Sequence, residues 1–238
     1  MDQNALAHRS IRQFKADAID WQSLVAAAQA TSSSEFLQSF SLIRVTDAKL
    51  RQAIQAISTS PCITGNGELF IFVVDTARDI AQTPAATNLD HFTNWNAFLA
   101  GCFDATLAAQ NMLSTAEHSG LGGVMLGSIL NDPAQMIALL HLPKYTFPLL
   151  GLMIGVPDEA PESKPRLPKA AVLGENTYPA RMDLSAYDVQ VSDYYAHRST
   201  GARVESFSSL IEKHLSADQH HRSEIGAILK SQGFNLPQ

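Results

Sequence analysis

Two uninterrupted apolar runs, Leu69-Phe70-Ile71-Phe72-Val73-Val74 and Leu149-Leu150-Gly151-Leu152-Met153-Ile154-Gly155-Val156, constrain this chain more than any other feature. A strand with one wet face alternates apolar and polar residues, whereas a continuous run marks a strand covered on both faces. Helices must therefore lie above and below a central sheet. The chain supplies them. Asp17-Ala18-Ile19-Asp20 leads into an alanine-rich helix ending near Ala30, Asp47 is placed to cap a helix carrying Leu50, Ile54 and Ile57, and Asp132 caps a short one ending near Leu142. The pattern from Phe36 to Val45 predicts a further strand. The strongest helix runs roughly from Asn94 to Ser119, apolar on all sides, with Asp104 as its one formal charge before Glu117 and Gly120 as its C-cap. That marks a central, buried helix.

At 238 residues with no internal repeat, the chain is expected to form a single domain over 1–238. Pro157 to Pro168 carries four prolines and must be extended. After Asp183 the residues Leu184, Tyr187, Val191, Tyr194 and Tyr195 recur at helical spacing, and further helical segments are expected at about Val204 to Ala217 and Arg222 to Gln232. This helical part, about 183–238, is expected to wrap the core or a partner subunit. The longest apolar stretch, Phe147 to Val156, has about ten residues where a membrane span needs roughly twenty. Met1-Asp2-Gln3-Asn4 lacks the layout of a secretion signal, so the expectation is a cytoplasmic protein with Cys62 and Cys102 as free thiols.

Lysine and arginine total 17 against 23 acidic residues, a net charge of −6, which argues against a nucleic-acid binder. Two small cationic clusters stand out against that background. Arg9, Arg12 and Lys15 lie beside His8, and Lys164, Arg166 and Lys169 lie in the proline-rich segment. Two such clusters in an acidic chain suit a compact anion.

Most familiar chemistry is missing. There is no G-x-S-x-G elbow and no G-x-x-x-x-G-K-[ST] loop, and both Gly65-Asn66-Gly67 and Gly120-Leu121-Gly122 fail the third glycine of G-x-G-x-x-G, with Phe70 and Met125 there instead. His214 and His221, near His220, would be about 10 Å apart along a helix axis, too far to share a metal, so no metal site is expected. Four motifs remain. His8-Arg9-Ser10-Ile11-Arg12 offers an imidazole, a hydroxyl and two permanent cations in an extended segment suited to a phosphate monoester, although base rates favour a solvated terminus. Thr31-Ser32-Ser33-Ser34 supplies hydroxyls and backbone N–H groups for the polar edge of a flat heterocycle, and by itself is only a loop. Gly120 to Ser128 follows the buried helix and lets backbone approach a flat ligand, while reading equally well as a cap and turn. Lys164-Pro165-Arg166-Leu167-Pro168 presents two cations on a stiff rail, or is a solvated linker. No motif is specific singly; together with a double-covered sheet they are informative.

Taken together, His8-Arg9-Ser10-Ile11-Arg12, Ala30-Thr31-Ser32-Ser33-Ser34, Gln110-Asn111, Gly120-Leu121-Gly122-Gly123-Val124, Lys164-Pro165-Arg166-Leu167-Pro168, Glu175-Asn176 with Tyr178, Tyr194-Tyr195 with Arg198, and Gln232-Gly233-Phe234 resemble the FMN-dependent, oxygen-insensitive NADPH nitroreductases and the similar NADPH:flavin oxidoreductases. The resemblance implies an α+β, nitroreductase-like three-layer fold: a mixed central β-sheet with helices on both faces, in an intertwined homodimer with an FMN at each of two interface sites. It implies that His8, Arg9, Ser10, Lys164 and Arg166 hold the ribityl phosphate, with Ile11 and Pro165 in the same binding runs. By the same resemblance Arg12 lies near N1 and the O2 carbonyl, where a fixed cation favours the negative charge that reduction leaves. Ser33 bonds the pyrimidine edge, Ser60 takes the position of an isoalloxazine-edge ligand, and Met125, Leu126, Gly127 and Ser128 line the dimethylbenzene-to-N5 side. Arg198 and Arg203 bracket Ser199-Thr200-Gly201-Ala202, which in that family reaches the 2′-phosphate of NADPH; a plain interhelical loop is an equally good reading of those residues alone.

The sequence departs from the family pattern at three places near the flavin. Met125 replaces a tyrosine, Glu35 replaces a serine, and Ser60-Pro61 stands where a glutamine and a polar residue are usual. The first helix is also about one turn shorter. The implied activity is transfer of two electrons from NADPH through bound FMN to nitroaromatic, quinone or flavin acceptors by a ping-pong mechanism, with no side-chain acid or base in the hydride step. The rivals are a non-catalytic FMN carrier or redox sensor, which needs no NADPH loop, and a phosphate-binding module without flavin, which would be colourless.

Overall fold

The computed structural model describes residues 7–85, 87–216 and 222–237. Met1 to Asn4, Ala217, His220 and His221, to which the sequence reading assigned a start, a helix end and a histidine cluster, lie outside the described residues. Two compact units are present, one built from Ser10–Glu159 with 222–237 and the other from Ala7–Arg9 with 160–216.

In the first unit the order is α1 (Trp21–Gln29), β1 (Phe40–Val45), α2 (Ala48–Ser58), β2 (Glu68–Asp75), α3 (Ala77–Ala81), α4 (Asp90–Thr93), α5 (Trp95–His118), β3 (Gly122–Leu126), α6 (Pro133–Leu139) and β4 (Thr146–Gly155). The two apolar runs are β2 and β4, and they pair with each other in the middle of a sheet ordered β1-β2-β4-β3. Every pair of named strands is antiparallel, and the parallel element comes from the N-terminal segment, where Ser10 bridges to Gly123 on the outer side of β3. Each face of β2 packs on helices. Phe70 and Phe72 meet Leu24 and Ala28 of α1 and Ala105, Ala108 and Met112 of α5. Leu69, Ile71 and Val73 meet Ile54 and Ile57 of α2 and Met136 of α6 on the other side.

Helix starts follow the caps read from the sequence. Asp20, Asp47 and Asp132 accept the N–H groups of Ser23, Leu50 and Gln135 in the first turns of α1, α2 and α6. Asn94 does the same for α5 through Ala97, and Gly120, at φ +78°, lets the chain turn away after α5 ends. The strand expected from Phe36 begins only at Phe40. Glu35, Phe36 and Gln38 sit at φ +53°, +62° and +54°, a left-handed path that no strand can include. The α5 helix is not buried on every side. Trp95, Leu99, Phe103 and Leu107, each four residues from the next, are 43–62% exposed and form an apolar stripe.

The second unit holds α7 (Lys169–Val172), α8 (Ser185–His197) and α9 (Phe207–Ser216), and Leu167 with Phe207 and Leu210 of α9 packs on Tyr187, Val191 and Tyr195 of α8. The chain closes in the first unit with α10 (Ile225–Ser231), whose Leu229, with Phe234 beyond it, joins the core cluster that holds α2 and α6. No described helix is long and apolar enough to cross a membrane.

Candidate functional site

The first-unit site is built on the outer edge of β3. Ile11 donates its N–H to the Gly123 carbonyl at 2.9 Å, Lys15 donates to Val156 at 2.9 Å, and Phe14 pairs with Pro157, so residues 10–15 cover an edge that would otherwise be open. Ile11 and Phe14 turn into the core. The approach is too close for a side chain on β3: a Cβ on Gly122 would lie 2.5 Å from Cγ1 of Ile11. Glu159 fastens the segment from the far end of β4. Its Oε1 accepts the N–H of Arg12 at 2.5 Å and of Gln13 at 3.1 Å, while Asp158 N–H returns a bond to Gln13. The Arg12 guanidinium is left exposed, with no partner among the described residues.

β3 runs directly into the tight turn Gly127–Asn131. Met125 is half-buried, Leu126 buried and Gly127 exposed, and a Cβ at Gly127 would meet nothing within 4 Å. Ser128 Oγ lies 2.5 Å from Ser58 Oγ, and the Asn131 amide donates to Ile57, which ties this turn to the end of α2. Thr59 then reverses the chain at φ +58°, and Ser60 Oγ lies 3.2 Å from Cys62 Sγ. The structure therefore sets Ser10 and Ile11 against Gly123 at the start of β3, with Arg12 next in the chain, and ties the turn that follows β3 to Ser58, two residues before Ser60. Among the described residues no hydrogen bond joins Ser33 to this group. Ser33 precedes the turn Ser34–Phe36, and that loop is held by Asp104, a carboxylate 1% exposed that accepts from Ser34 at 2.9 Å and Ser39 at 3.0 Å.

Three site-bordering residues were not found from sequence. Arg222, expected inside a helix, stands ahead of α10 at φ +50° and donates Nη2 to the Gly127 carbonyl at 3.2 Å. Glu159 was one carboxylate in a proline-rich stretch and carried no signal. Asp104 did carry one, as a lone charge in an apolar helix, since such a charge must find donors when buried.

In the second unit Arg9 donates Nη1 to the Pro161 carbonyl at 3.2 Å, and the Pro165 carbonyl accepts from the Tyr187 hydroxyl at 3.3 Å. The rail between them keeps Lys164 and Arg166 exposed, and His8 is half-buried. Arg198 follows α8 directly, its Nε buried without a hydrogen-bond partner and its guanidinium 5.7 and 5.8 Å from the rings of Tyr194 and Tyr195. Ser199 N–H donates to Glu162 at 2.8 Å, and Ser199, through hydroxyl and backbone, holds that carboxyl below its ordinary range. Arg203 closes the loop, with its N–H on the Tyr195 carbonyl at 2.8 Å and its guanidinium over the Tyr195 ring at 4.0 Å. Among the described residues no three His, Cys, Asp or Glu side chains come together as metal ligands.

Comparison with known proteins agrees over nearly the whole chain. Residues 5–156 match the model of the nitroreductase family, and residues 164–237 match that of the nitroreductase family, C-terminal domain. An NADPH-dependent oxidoreductase of Staphylococcus saprophyticus is 39% identical over 95% of this chain and 94% of its own. NfrA1 nitroreductase from B. subtilis superposes with a TM-score of 0.90 at 34% identity, covering 98% of each chain. The NADPH:FMN oxidoreductase from Vibrio harveyi, complexed with NAD+, gives 0.85 at 33% identity, over 98% of this chain and 97% of its own.

Proposed function

This chain belongs to the nitroreductase family and is an NADPH-dependent oxidoreductase with FMN as cofactor; we propose that it passes two electrons to nitroaromatic, quinone or flavin acceptors by a ping-pong mechanism. The observation that carries the proposal is the N-terminal segment, which leaves the Arg12 guanidinium exposed and is stitched to Gly123 at the start of β3, a strand that ends in the open backbone of Gly127. The residues fit the cofactor. A flat ring needs backbone it can approach, a polar edge needs neutral hydroxyls, and a cation beside the ring favours its reduced, more negative form.

FMN supplies hydride chemistry when bound, and the chain's own groups position and tune it. Arg12 is assigned to N1 and O2, Ser33 and Ser60 to the polar edge, and Met125, Leu126, Gly127 and Ser128 to the N5 side. Ser60, engaged with Cys62, reaches a ring atom only through water. The phosphate is assigned to His8, Arg9, Lys164 and Arg166 of the second unit and to Ser10, next in the chain; Ile11 and Pro165 anchor the two runs. Arg198 and Arg203 are assigned to the 2′-phosphate of NADPH. Because few polar side chains are read by the acceptor, stacking sets affinity and the range of acceptors is broad. The apolar stripe on α5 supports a homodimer, and the reading places the protein in the cytoplasm.

Initial rates with NADPH and a nitrofuran or benzoquinone, each varied, test the kinetic order. Parallel double-reciprocal lines are expected, because oxidised nucleotide leaves before the acceptor enters. Intersecting lines would overturn the ping-pong assignment.

A further inference from the structure

Glu205 is a glutamate 3% exposed at its side chain in a unit made mostly of surface helices. Its two oxygens receive Lys213 Nζ at 2.9 and 2.8 Å, Ser209 Oγ donates to one at 2.5 Å, and Arg203 Nε donates to the other at 3.3 Å. Sequence alone gave it no role.

The consequence lies with Arg203. One edge of its guanidinium is held by the Glu205 carboxylate, one face lies 4.0 Å from the Tyr195 ring, and its own backbone N–H is fixed on the Tyr195 carbonyl. Arginine is otherwise a long, rotamer-rich side chain, and it is fixed here at one edge and one face. The two η nitrogens are not engaged among the described residues. Lys213 balances the Glu205 charge, so the trio of Arg203, Lys213 and Glu205 keeps one net positive charge.

We propose that Glu205 is a positioning residue for the electron donor: with Tyr195 it holds Arg203 ready, η nitrogens outward, to read a 2′-phosphorylated adenine nucleotide, so that preference for NADPH over NADH depends on a buried carboxylate. The proposal rests on the assignment of Arg203 to the 2′-phosphate. A prearranged guanidinium avoids the cost of immobilising a free side chain on binding, which corresponds to about two- to tenfold in affinity.

The test uses the FMN-loaded protein. KM and kcat are measured for NADPH and NADH, and binding of 2′,5′-ADP and 5′-AMP is measured by calorimetry, in wild type, Glu205→Gln, Lys213→Gln and Arg203→Ala. Glu205→Gln keeps the volume and releases Arg203; NADPH and 2′,5′-ADP weaken about two- to tenfold, while NADH, 5′-AMP, kcat and flavin content stay the same. Lys213, largely exposed, tolerates replacement, and Lys213→Gln leaves Glu205 to cancel Arg203, giving the same selective loss even where Glu205→Gln fails to fold. Unchanged or tighter 2′,5′-ADP binding in these variants, or a loss shared equally by NADH and kcat, overturns the proposal. Arg203→Ala separates the two levels. If it leaves NADPH preference intact, the phosphate assignment is wrong; if it abolishes the preference while Glu205→Gln and Lys213→Gln do not, only the positioning role is wrong.

Discussion

A single oxygen of Glu159 accepts the backbone N–H of Arg12 at 2.5 Å, and it takes that of Gln13 as well, at 3.1 Å. The residue that exposes the first unit's candidate ring-side cation is therefore set by a carboxylate more than a hundred positions away, at the exit of β4. A hydrogen bond to a charged acceptor contributes about 1.5–3 kcal/mol. Glu159→Ala is expected to lower unfolding free energy by about 2 kcal/mol and to weaken FMN binding, because Arg12 loses its backbone anchor. Urea unfolding and flavin-fluorescence titration check both; wild-type FMN affinity in Glu159→Ala would separate the clamp from the site.

Asp104 holds both ends of the loop that contains Glu35, Phe36 and Gln38. Asp104→Ala leaves the buried Ser39 N–H without its acceptor and frees a left-handed path, at a cost of about 2–3 kcal/mol. Asp104→Asn retains one acceptor oxygen and costs less. Urea midpoints for the two variants give the order; equal stability would show that the loop holds itself.

These two clamps show what the sequence could and could not reveal. β2, β4 and α5 were legible because apolar runs and caps are local signals. Glu159 was not, since its partners lie across the chain and its neighbourhood is proline-rich and polar. The start of β1 was misplaced because β-branched and apolar residues beyond Phe36 read as strand, whereas the tether to Asp104 forces a left-handed loop. The outward stripe of α5 could not be told from a core face by composition. Ser10, Ile11 and Arg12 stand out in the sequence because hydroxyl, apolar residue and cation fall in one short run, and the structure lays Ser10 and Ile11 along β3. Ser33 belongs to a motif whose next residue, Ser34, is tied to Asp104 instead.

The stripe of Trp95, Leu99, Phe103 and Leu107 gives a test of assembly. Phe103, 62% exposed, is the most exposed of the four. Phe103→Glu places a charge in the middle of a surface that a second copy would bury. Sedimentation should give twice the chain mass for wild type and the single-chain mass for the variant. A monomeric wild type would show that this face is not a contact between copies.

Glu205 makes the second unit sensitive to acid. The Lys213 hydrogen bond, then Ser209 and Arg203, hold its carboxyl down at about 2. Its folded value lies below the ordinary glutamate value of about 4.3, so the stabilisation is complete above that pH and is lost as pH falls toward 2. Near-ultraviolet circular dichroism of the tyrosines should fall over that window, and Glu205→Gln should flatten the dependence. An unchanged profile in the variant would show that another group titrates.

Burial pushes the Cys102 thiol up to about 12. At pH 8 only about one molecule in ten thousand then carries the reactive thiolate. Cys62 is buried and Cys102 half-buried. A disulfide reagent such as DTNB should label neither cysteine quickly in the native protein and both in urea; rapid native labelling of Cys102 would contradict the packing of α5.

The most direct test is anaerobic. Protein mixed with FMN and desalted is treated with NADPH and, separately, NADH while the visible flavin band is followed. A yellow protein is expected, one that bleaches rapidly, faster with NADPH, and regains colour when a quinone or nitroaromatic is added. A protein that emerges colourless, or one that holds FMN but is not bleached by NADPH, would contradict it.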